Sequence, residues 1–470
     1  MKAYELREDI NIMNRKRNEE RKHLIRKAEA AIQVVVFTVL YYATWLLSYQ
    51  DVTFPYLGRG KYGLMGIYAV LMFILFHYSD GFNYGHSKLG DITVSQCISI
   101  FLVNFITYWQ LSLISNVMIF IPPMLVLTLI QMLLCFGSCW LFTKIYHRYQ
   151  TPRDMDMIYG TENPLELEEK MSIRNDKYQI TETISVKEGI EKICEEIGKH
   201  ESVLLNDVPA QIRNDILKYC YTNEIRLYTT PKLSDIVISG AEKINTFDTP
   251  LLLVKGTGLT LEQRIVKRAM DVVLCSVAMV IAAPIMLIVA IAIKAEDRGP
   301  VFFKQERVTR GGASFDILKF RSMIVDAEKF GEVIPATDRD PRITKVGNII
   351  RATRIDELPQ IINILKGEMS IVGPRPERVE HVEKYSKEIP EFVYRTKVKG
   401  GLTGYAQIYG KYNTYPYDKL RLDLTYIEEY SILLDIKLIL MTLQIMLRKE
   451  STEGFKSEDD SKNKETHSGH

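Results

Sequence analysis

Val272-Val273-Leu274-Cys275-Ser276-Val277-Ala278-Met279-Val280-Ile281-Ala282-Ala283-Pro284-Ile285-Met286-Leu287-Ile288-Val289-Ala290-Ile291-Ala292-Ile293 is a charge-free, membrane-grade run in the second half of the chain. It has enough residues to cross a bilayer. Pro284 sits near its centre, where proline removes a helix hydrogen bond and crowds the preceding turn. Lys267 and Arg268 flank one end, and Lys294 and Arg298 flank the other. Basic residues at both ends plus a central proline favour a re-entrant helix over 272–293 that enters and leaves one leaflet. The alternative is a kinked ordinary span, which would put the C-terminal part of the chain outside the cell. In the re-entrant case the backbone groups freed at the bend need internal partners.

Upstream, Ala30 to Gln50, Tyr62 to Ser79 and Ile92 to Thr143 contain no Asp, Glu, Lys or Arg. The last run holds two spans of about 20 residues, with Ser115-Asn116 as the turn. The spacing predicts four transmembrane helices over 29–145, after a basic segment over 1–28. No cleavable signal peptide is apparent, because the first apolar run is long and follows a polar stretch. Arg15, Lys16, Arg17, Arg21, Lys22, Arg26 and Lys27 precede the first span, and Lys144, His147, Arg148 and Arg153 follow the fourth. Positive residues stay on the cytoplasmic side, so both flanks are expected there. Arg59 and Lys61, in a loop expected outside, are a counter-signal.

The 470-residue chain carries a formal net charge of only +2, so net charge suggests no nucleic-acid partner. Its six cysteines show no CxxC or Cys/His ligand spacing, and its histidines form no metal set. Cys135 and Cys139 share a helix face, which reads as small-residue packing.

Residues 146–260 read as a soluble α/β unit. Candidate strands are Met155–Tyr159, Tyr178–Ile184, Ser202–Leu205, Arg226–Thr229 and Leu251–Val254, with helices at Val186–His200 and Ala210–Cys220. The alternation favours a parallel sheet. The turn after the first strand, Tyr159-Gly160-Thr161-Glu162-Asn163-Pro164, has one glycine rather than GxGxxG, which argues against a dinucleotide. Further on, Ser431–Arg448 reads as an interfacial helix interrupted by Asp435 and Lys437. The tail over 449–470 is expected to be disordered.

The chemistry concentrates in Arg354-Ile355-Asp356-Glu357-Leu358-Pro359-Gln360. On an α-helix adjacent side chains point about 100° apart, so Asp356 and Glu357 can serve different partners. One carboxylate can attack phosphorus while its neighbour holds a divalent metal. Arg351 and Arg354 precede the pair, and arginine forks match phosphate oxygens. An isolated Asp-Glu pair is common, and a solvated helix start is its ordinary reading. The ordered context is not common. It comprises Gly299-Pro300-Val301-Phe302-Phe303-Lys304-Gln305-Glu306-Arg307-Val308, Lys319-Phe320-Arg321-Ser322-Met323, Asp340-Pro341-Arg342-Ile343-Thr344, Gly373-Pro374-Arg375-Pro376-Glu377 and Gly401-Leu402-Thr403-Gly404.

From Arg264 to Arg448 this set resembles the bacterial sugar transferases, the monotopic polyprenyl-phosphate phosphoglycosyl transferases. The first half is similar to their larger members, which initiate capsule or exopolysaccharide synthesis. The resemblance implies a membrane α-helical N-terminal bundle, an α/β Rossmann-like middle domain of degenerate type, and an α-rich membrane-associated catalytic domain over 261–448 with a re-entrant helix. It implies Asp356 as the nucleophile on a UDP-sugar and Glu357 as the Mg²⁺ ligand. Arg351 matches a phosphate-binding position and Arg375 lies near the nucleotide; Lys319 and Arg321 are further phosphate contacts. Undecaprenyl phosphate is the implied acceptor, the bacterial inner membrane the location with the catalytic domain on the cytoplasmic face, and a homodimer the assembly. One departure is Ala283-Pro284, where the family often has Ser-Pro. A non-catalytic membrane scaffold and a nucleotide-sensing dehydrogenase-like protein are the other readings. The first leaves the ordered motifs unexplained and the second lacks its glycines. The residues do not select the sugar; likeness to the large members favours glucose or galactose.

Overall fold

The computed structural model describes residues 2–53, 58–84, 89–149, 152–161, 164–200, 202–246, 248–325, 340–410 and 414–446. The expected disordered tail and Tyr412-Asn413 lie outside them. The chain forms two compact units, Met1–Lys232 and Leu233–His470.

The first unit opens with α1 (Lys2–Ser48), α2 (Gly60–Tyr78), α3 (Leu89–Ser115) and α4 (Pro122–Tyr149). The α3–α4 turn falls at Ser115-Asn116, as the sequence predicts, with Asn116 at φ 54°. The bundle is inverted relative to a soluble one. Val35, Leu47, Phe73, Phe101, Leu133 and Phe136 face outward. Gln33, Gln96, Asn104 and Gln131 lie buried between the helices and hydrogen-bond one another, Gln33 with Gln96 and Asn104 with Gln131. Lipid has no hydrogen bonds to offer, so polar side chains pair inside while apolar ones face out.

A parallel four-stranded sheet completes this unit. Its strands are β1 (Arg153–Tyr159), β2 (Tyr178–Ser185), β3 (Ser202–Asn206) and β4 (Arg226–Thr229), in the order β2-β1-β3-β4. The connecting helices are α5 (Pro164–Ser172), α6 (Ile190–Ile197) and α7 (Ala210–Thr222). The space above the β1 turn is filled by the protein itself, since a Cβ on Gly160 would lie 2.1 Å from the Asp207 carbonyl oxygen. This close approach accounts for the single glycine.

The second unit begins earlier than the composition suggests. Residues 233–260 pack with it: α8 (Leu233–Ser239) places Ile236 in the core beside Leu420 and Leu424, and Leu259 joins the same cluster. The fifth candidate strand does not enter the parallel sheet. As β6 (Leu251–Leu253) it pairs antiparallel with β5 (Glu242–Ile244), and its side chains are exposed.

Next comes α9 (Leu261–Asp297), one helix of 37 residues containing Pro284. Thr260 caps it through a reciprocal pair with Gln263. Among the described residues, five helices, counting α9, are long and apolar enough to cross a membrane. The remainder of the unit is β7 (Phe302–Val308), β8 (Ser314–Phe320), α10 (Lys345–Ala352), α11 (Gln360–Lys366), β9 (Ser370–Val372), α12 (Val379–Glu388), β10 (Gly401–Thr403), α13 (Tyr405–Tyr409), α14 (Pro416–Glu428) and α15 (Ile432–Met446). β7 and β8 form an antiparallel hairpin, and β9 and β10 pair in parallel. Gly401-Leu402-Thr403 is therefore a strand rather than a bare turn.

Asp435 does not interrupt α15 toward water. It is buried, pairs with Lys267 of α9 at 2.6 Å and accepts from the Tyr426 hydroxyl at 2.8 Å. Asp435→Ala would leave the Lys267 ammonium buried and unpaired, a loss of about 3–5 kcal/mol. The expected result is a clearly lower unfolding temperature in detergent, with α15 losing its seat on α9.

Candidate active site

Asp356 and Glu357 lie in a single 3₁₀ turn, Ile355–Glu357, rather than on an α-helix. The local sequence explains which way they turn. A 3₁₀ turn has three residues per turn, so Ile355 and Leu358 fall on one side and pack into the core under α9. The two acids between them must point elsewhere. Arg354 initiates the turn at φ 54°.

Three elements converge on the pair. β8 brings Lys319, whose Nζ donates to Glu357 Oε1 at 2.8 Å. The loop after β9 brings Arg375, whose Nη2 donates to the same oxygen at 3.2 Å. α10 brings Arg351, which acts on Asp356 through its charge. Burial opposes ionisation of Glu357, but Lys319 and Arg375 outweigh it and hold its pKa well below the carboxylate range. The ionised group thus adds stability at neutral pH that is lost only as pH falls below about 4 toward its folded pKa.

Asp356 differs. Burial pushes its carboxyl up, against the Lys319 charge, with Glu357 pushing it further up and Arg351 and Arg354 pulling down. It makes no hydrogen bond among the described residues. One neighbour is locked into ion pairs; the other is a half-buried carboxylate with nothing bonded to its oxygens. Lys319→Met removes the largest charge that favours ionised Asp356. The acid limb of the activity–pH profile is expected to move to higher pH, whereas an unmoved limb would separate Lys319 from that titration.

Arg321 does not join this group. It is buried, donates Nε to Pro300 O at 2.6 Å and Nη1 to Met323 O at 3.2 Å, and pairs with Asp297. It fastens the C-terminal end of α9 to the end of β8, leaving no fork for a ligand. Tyr415 is exposed, and Tyr417 lies under the Arg421 guanidinium. His381 lies beside Glu377.

The residues that hold Arg375 were not foreseen from sequence. Its carbonyl accepts from Arg395 Nη2 at 2.8 Å, the Pro376 carbonyl from Arg307 Nη1 at 3.2 Å, and the Glu377 carbonyl from Val308 N at 2.9 Å. Arg395 is buried and pairs with buried Asp423 at 2.7 Å. Asp423 carries a legible signal, a charge on the apolar stripe Leu420, Leu424 and Ile427 of α14. Gly373 and Gly401 complete the cradle; a Cβ on Gly401 would sit 2.1 Å from Gly373 N.

Among the described residues, no three His, Cys, Asp or Glu side chains group as a metal site. Glu357 Oε2 makes no hydrogen bond there, which leaves one hard oxygen beside Asp356. That donor set fits Mg²⁺, which takes one or two carboxylates and completes its shell with phosphates and water.

Known proteins resemble this chain over the region that holds these residues. The family profile described as Bacterial sugar transferase matches residues 262–449. A UDP-glucose:undecaprenyl-phosphate glucose-1-phosphate transferase of Escherichia coli is 42% identical over 211 residues, 44% of either chain. The match to a Klebsiella pneumoniae protein of the same description covers 54% of either chain, so the chain spans about half the length of these relatives. A UDP-N-acetylgalactosamine-undecaprenyl-phosphate N-acetylgalactosaminephosphotransferase of Aeromonas hydrophila is 34% identical over 329 residues, covering 67% of this chain and 71% of that one. With the family profile matched over 262–449 and a 34% identical relative matched over two thirds of either chain, the chain belongs to the bacterial sugar transferase family.

Proposed function

We propose that this protein transfers a sugar-1-phosphate from a UDP-sugar to undecaprenyl phosphate at the cytoplasmic face of a bacterial inner membrane, initiating capsule or exopolysaccharide synthesis. The observation that carries the reading is the unbonded Asp356 carboxylate among Lys319, Arg351 and Arg354, beside a Glu357 held ionised.

In the first step an Asp356 oxygen attacks the β-phosphorus. The bond from that phosphorus to the bridging oxygen breaks, UMP leaves, and the phospho-sugar stays on the carboxylate. In the second, an oxygen of the lipid phosphate attacks the same phosphorus and restores Asp356. Two bulky substrates therefore never need to react with each other directly. Carboxylate attack on a diphosphate brings like charges together, and Lys319, Arg351 and Arg375 offset them from fixed positions. Mg²⁺ held by Glu357 and the donor phosphates would supply further charge neutralisation.

The re-entrant seating of α9 belongs to the same reading. Near its N-terminal end Arg268 donates to Ile364 O and Leu365 O, and Asp271 accepts from Ser370 and Ile371. At its C-terminal end Glu296 accepts from the Lys345 and Val346 amides, and Asp297 pairs with Arg321. A crossing helix would carry its ends to opposite sides of a hydrocarbon layer about 30 Å thick. The bonds at both ends of α9 to other elements of one unit support the re-entrant reading. Between them Cys275, Ala282, Met286, Val289 and Ile293 form a stripe buried against it, while Val280, Ile281, Leu287 and Ile288 are exposed for lipid. The parallel sheet of the first unit is taken as a degenerate Rossmann-like domain without a dinucleotide, and the assembly as a homodimer.

The test is UMP release by purified protein in nanodiscs, with a panel of UDP-sugars and Mg²⁺, with and without undecaprenyl phosphate. Release with one sugar names the donor. No release with any sugar from folded protein would return the weight to a scaffold.

A further inference from the structure

The basic residues that the active site leaves unused gather at the other end of α11. Gly367 ends that helix with φ 90°, and the point where its Cβ would stand lies 3.5 Å from Arg268 Nη2 and 3.5 Å from Lys399 Nζ. Arg310, on the turn between β7 and β8, adds a third positive charge. These cations come from three segments far apart in sequence, so their convergence is a product of the fold. Arg268 spends hydrogen bonds on Ile364 O and Leu365 O but keeps its charge. Lys399 makes no hydrogen bond or ion pair among the described residues. Burial, then the Arg268 and Arg310 charges, push its amine down. Among the described residues Asp271 is the acid that acts on it, and both Asp271 oxygens are taken, by Ser370 Oγ and Ile371 N. Like charges gathered with no free acid beside them among the described residues call for an outside anion.

Position indicates which anion. Arg268 stands one turn before Val272, where the charge-free run of α9 begins, so the cluster lies at headgroup height when α9 is in a leaflet. α11, about 10 Å long, separates it from the Asp356 turn.

We propose that Lys399, Arg268 and Arg310 bind the phosphate of an anionic phospholipid headgroup, a lipid site distinct from the reaction centre that sets the height of the catalytic unit on the membrane. The proposal rests on the one-leaflet seating of α9 and not on the transfer chemistry.

The experiment compares the full chain with the Lys399→Gln/Arg310→Gln double variant. Arg268 is left intact because it caps α11. Each protein is reconstituted with phosphatidylcholine and phosphatidylglycerol, and retained lipid is counted by native mass spectrometry. Retained phosphatidylglycerol is expected to fall about fivefold per charge removed, the scale of one basic residue at an anionic surface. UMP release in detergent and the KM for undecaprenyl phosphate should stay unchanged. Equal retention by both proteins would overturn the proposal. A raised KM would assign the site to the acceptor instead. If millimolar inorganic phosphate in phosphatidylcholine discs stabilises the wild type as phosphatidylglycerol does, the site takes free phosphate and the lipid assignment fails. Enrichment of phosphatidylglycerol by a wild type that releases no UMP would leave this site standing and remove the transferase reading.

Discussion

Asp356→Asn is expected to release no UMP with any UDP-sugar and to form no sugar-phosphate adduct, a loss of about 10⁴-fold or more. Asparagine keeps the volume and the seat of the turn, because Ile355 and Leu358 do the packing. What it removes is the charge that the proposed mechanism uses to attack phosphorus. The check is intact-protein mass after incubation with the donor and no acceptor. Wild type should gain one phospho-sugar and the variant none. Wild-type turnover in the variant would exclude Asp356 as the nucleophile. Glu357→Gln offers a contrast: its lesion lies in the charge that Lys319 and Arg375 share, so loss of activity there should come with a lower unfolding temperature.

Arg395→Met is expected to destabilise the second unit by about 3–5 kcal/mol, because it strands a buried Asp423 carboxylate. Asp423 has little margin, since its Oδ1 already lacks a hydrogen-bond partner. The same change frees the Arg375 carbonyl. The double variant Arg395→Met/Asp423→Leu separates the two effects. Replacing a buried ion pair by apolar side chains is often neutral for stability, so the unfolding temperature should recover. The KM for the UDP-sugar should stay raised, because the Arg375 carbonyl has then lost its Arg395 donor. Recovery of both would reduce Arg395 to a purely structural part.

The membrane bundle was legible because its signal is local. A run without charge, long enough to span, needs no knowledge of its neighbours, and Ser115-Asn116 marked its turn correctly. The pairing of Asp356 with Glu357 was legible as chemistry but not as geometry. The shift from α-helix to 3₁₀ turn follows from packing Ile355 and Leu358 under α9. Arg321 looked like a phosphate ligand because a basic residue beside Lys319 carries no mark of its partner. Its partner, Asp297, is 24 residues upstream. The candidate strand Leu251–Val254 had strand composition, but composition cannot say which sheet it will join.

By itself the sequence determined the membrane-grade helices, the family-like order of the catalytic motifs and the residue types of the reaction centre, since each depends on hydropathy or spacing along the chain. Tertiary structure alone decided which charges are free to act. An arginine or aspartate behaves as ligand, nucleophile or clamp according to what lies within hydrogen-bond reach, and those neighbours come from distant segments. Lys319 meets Glu357 across 38 residues, Lys267 meets Asp435 across 168, and among the described residues Asp356 is left without a hydrogen-bond partner.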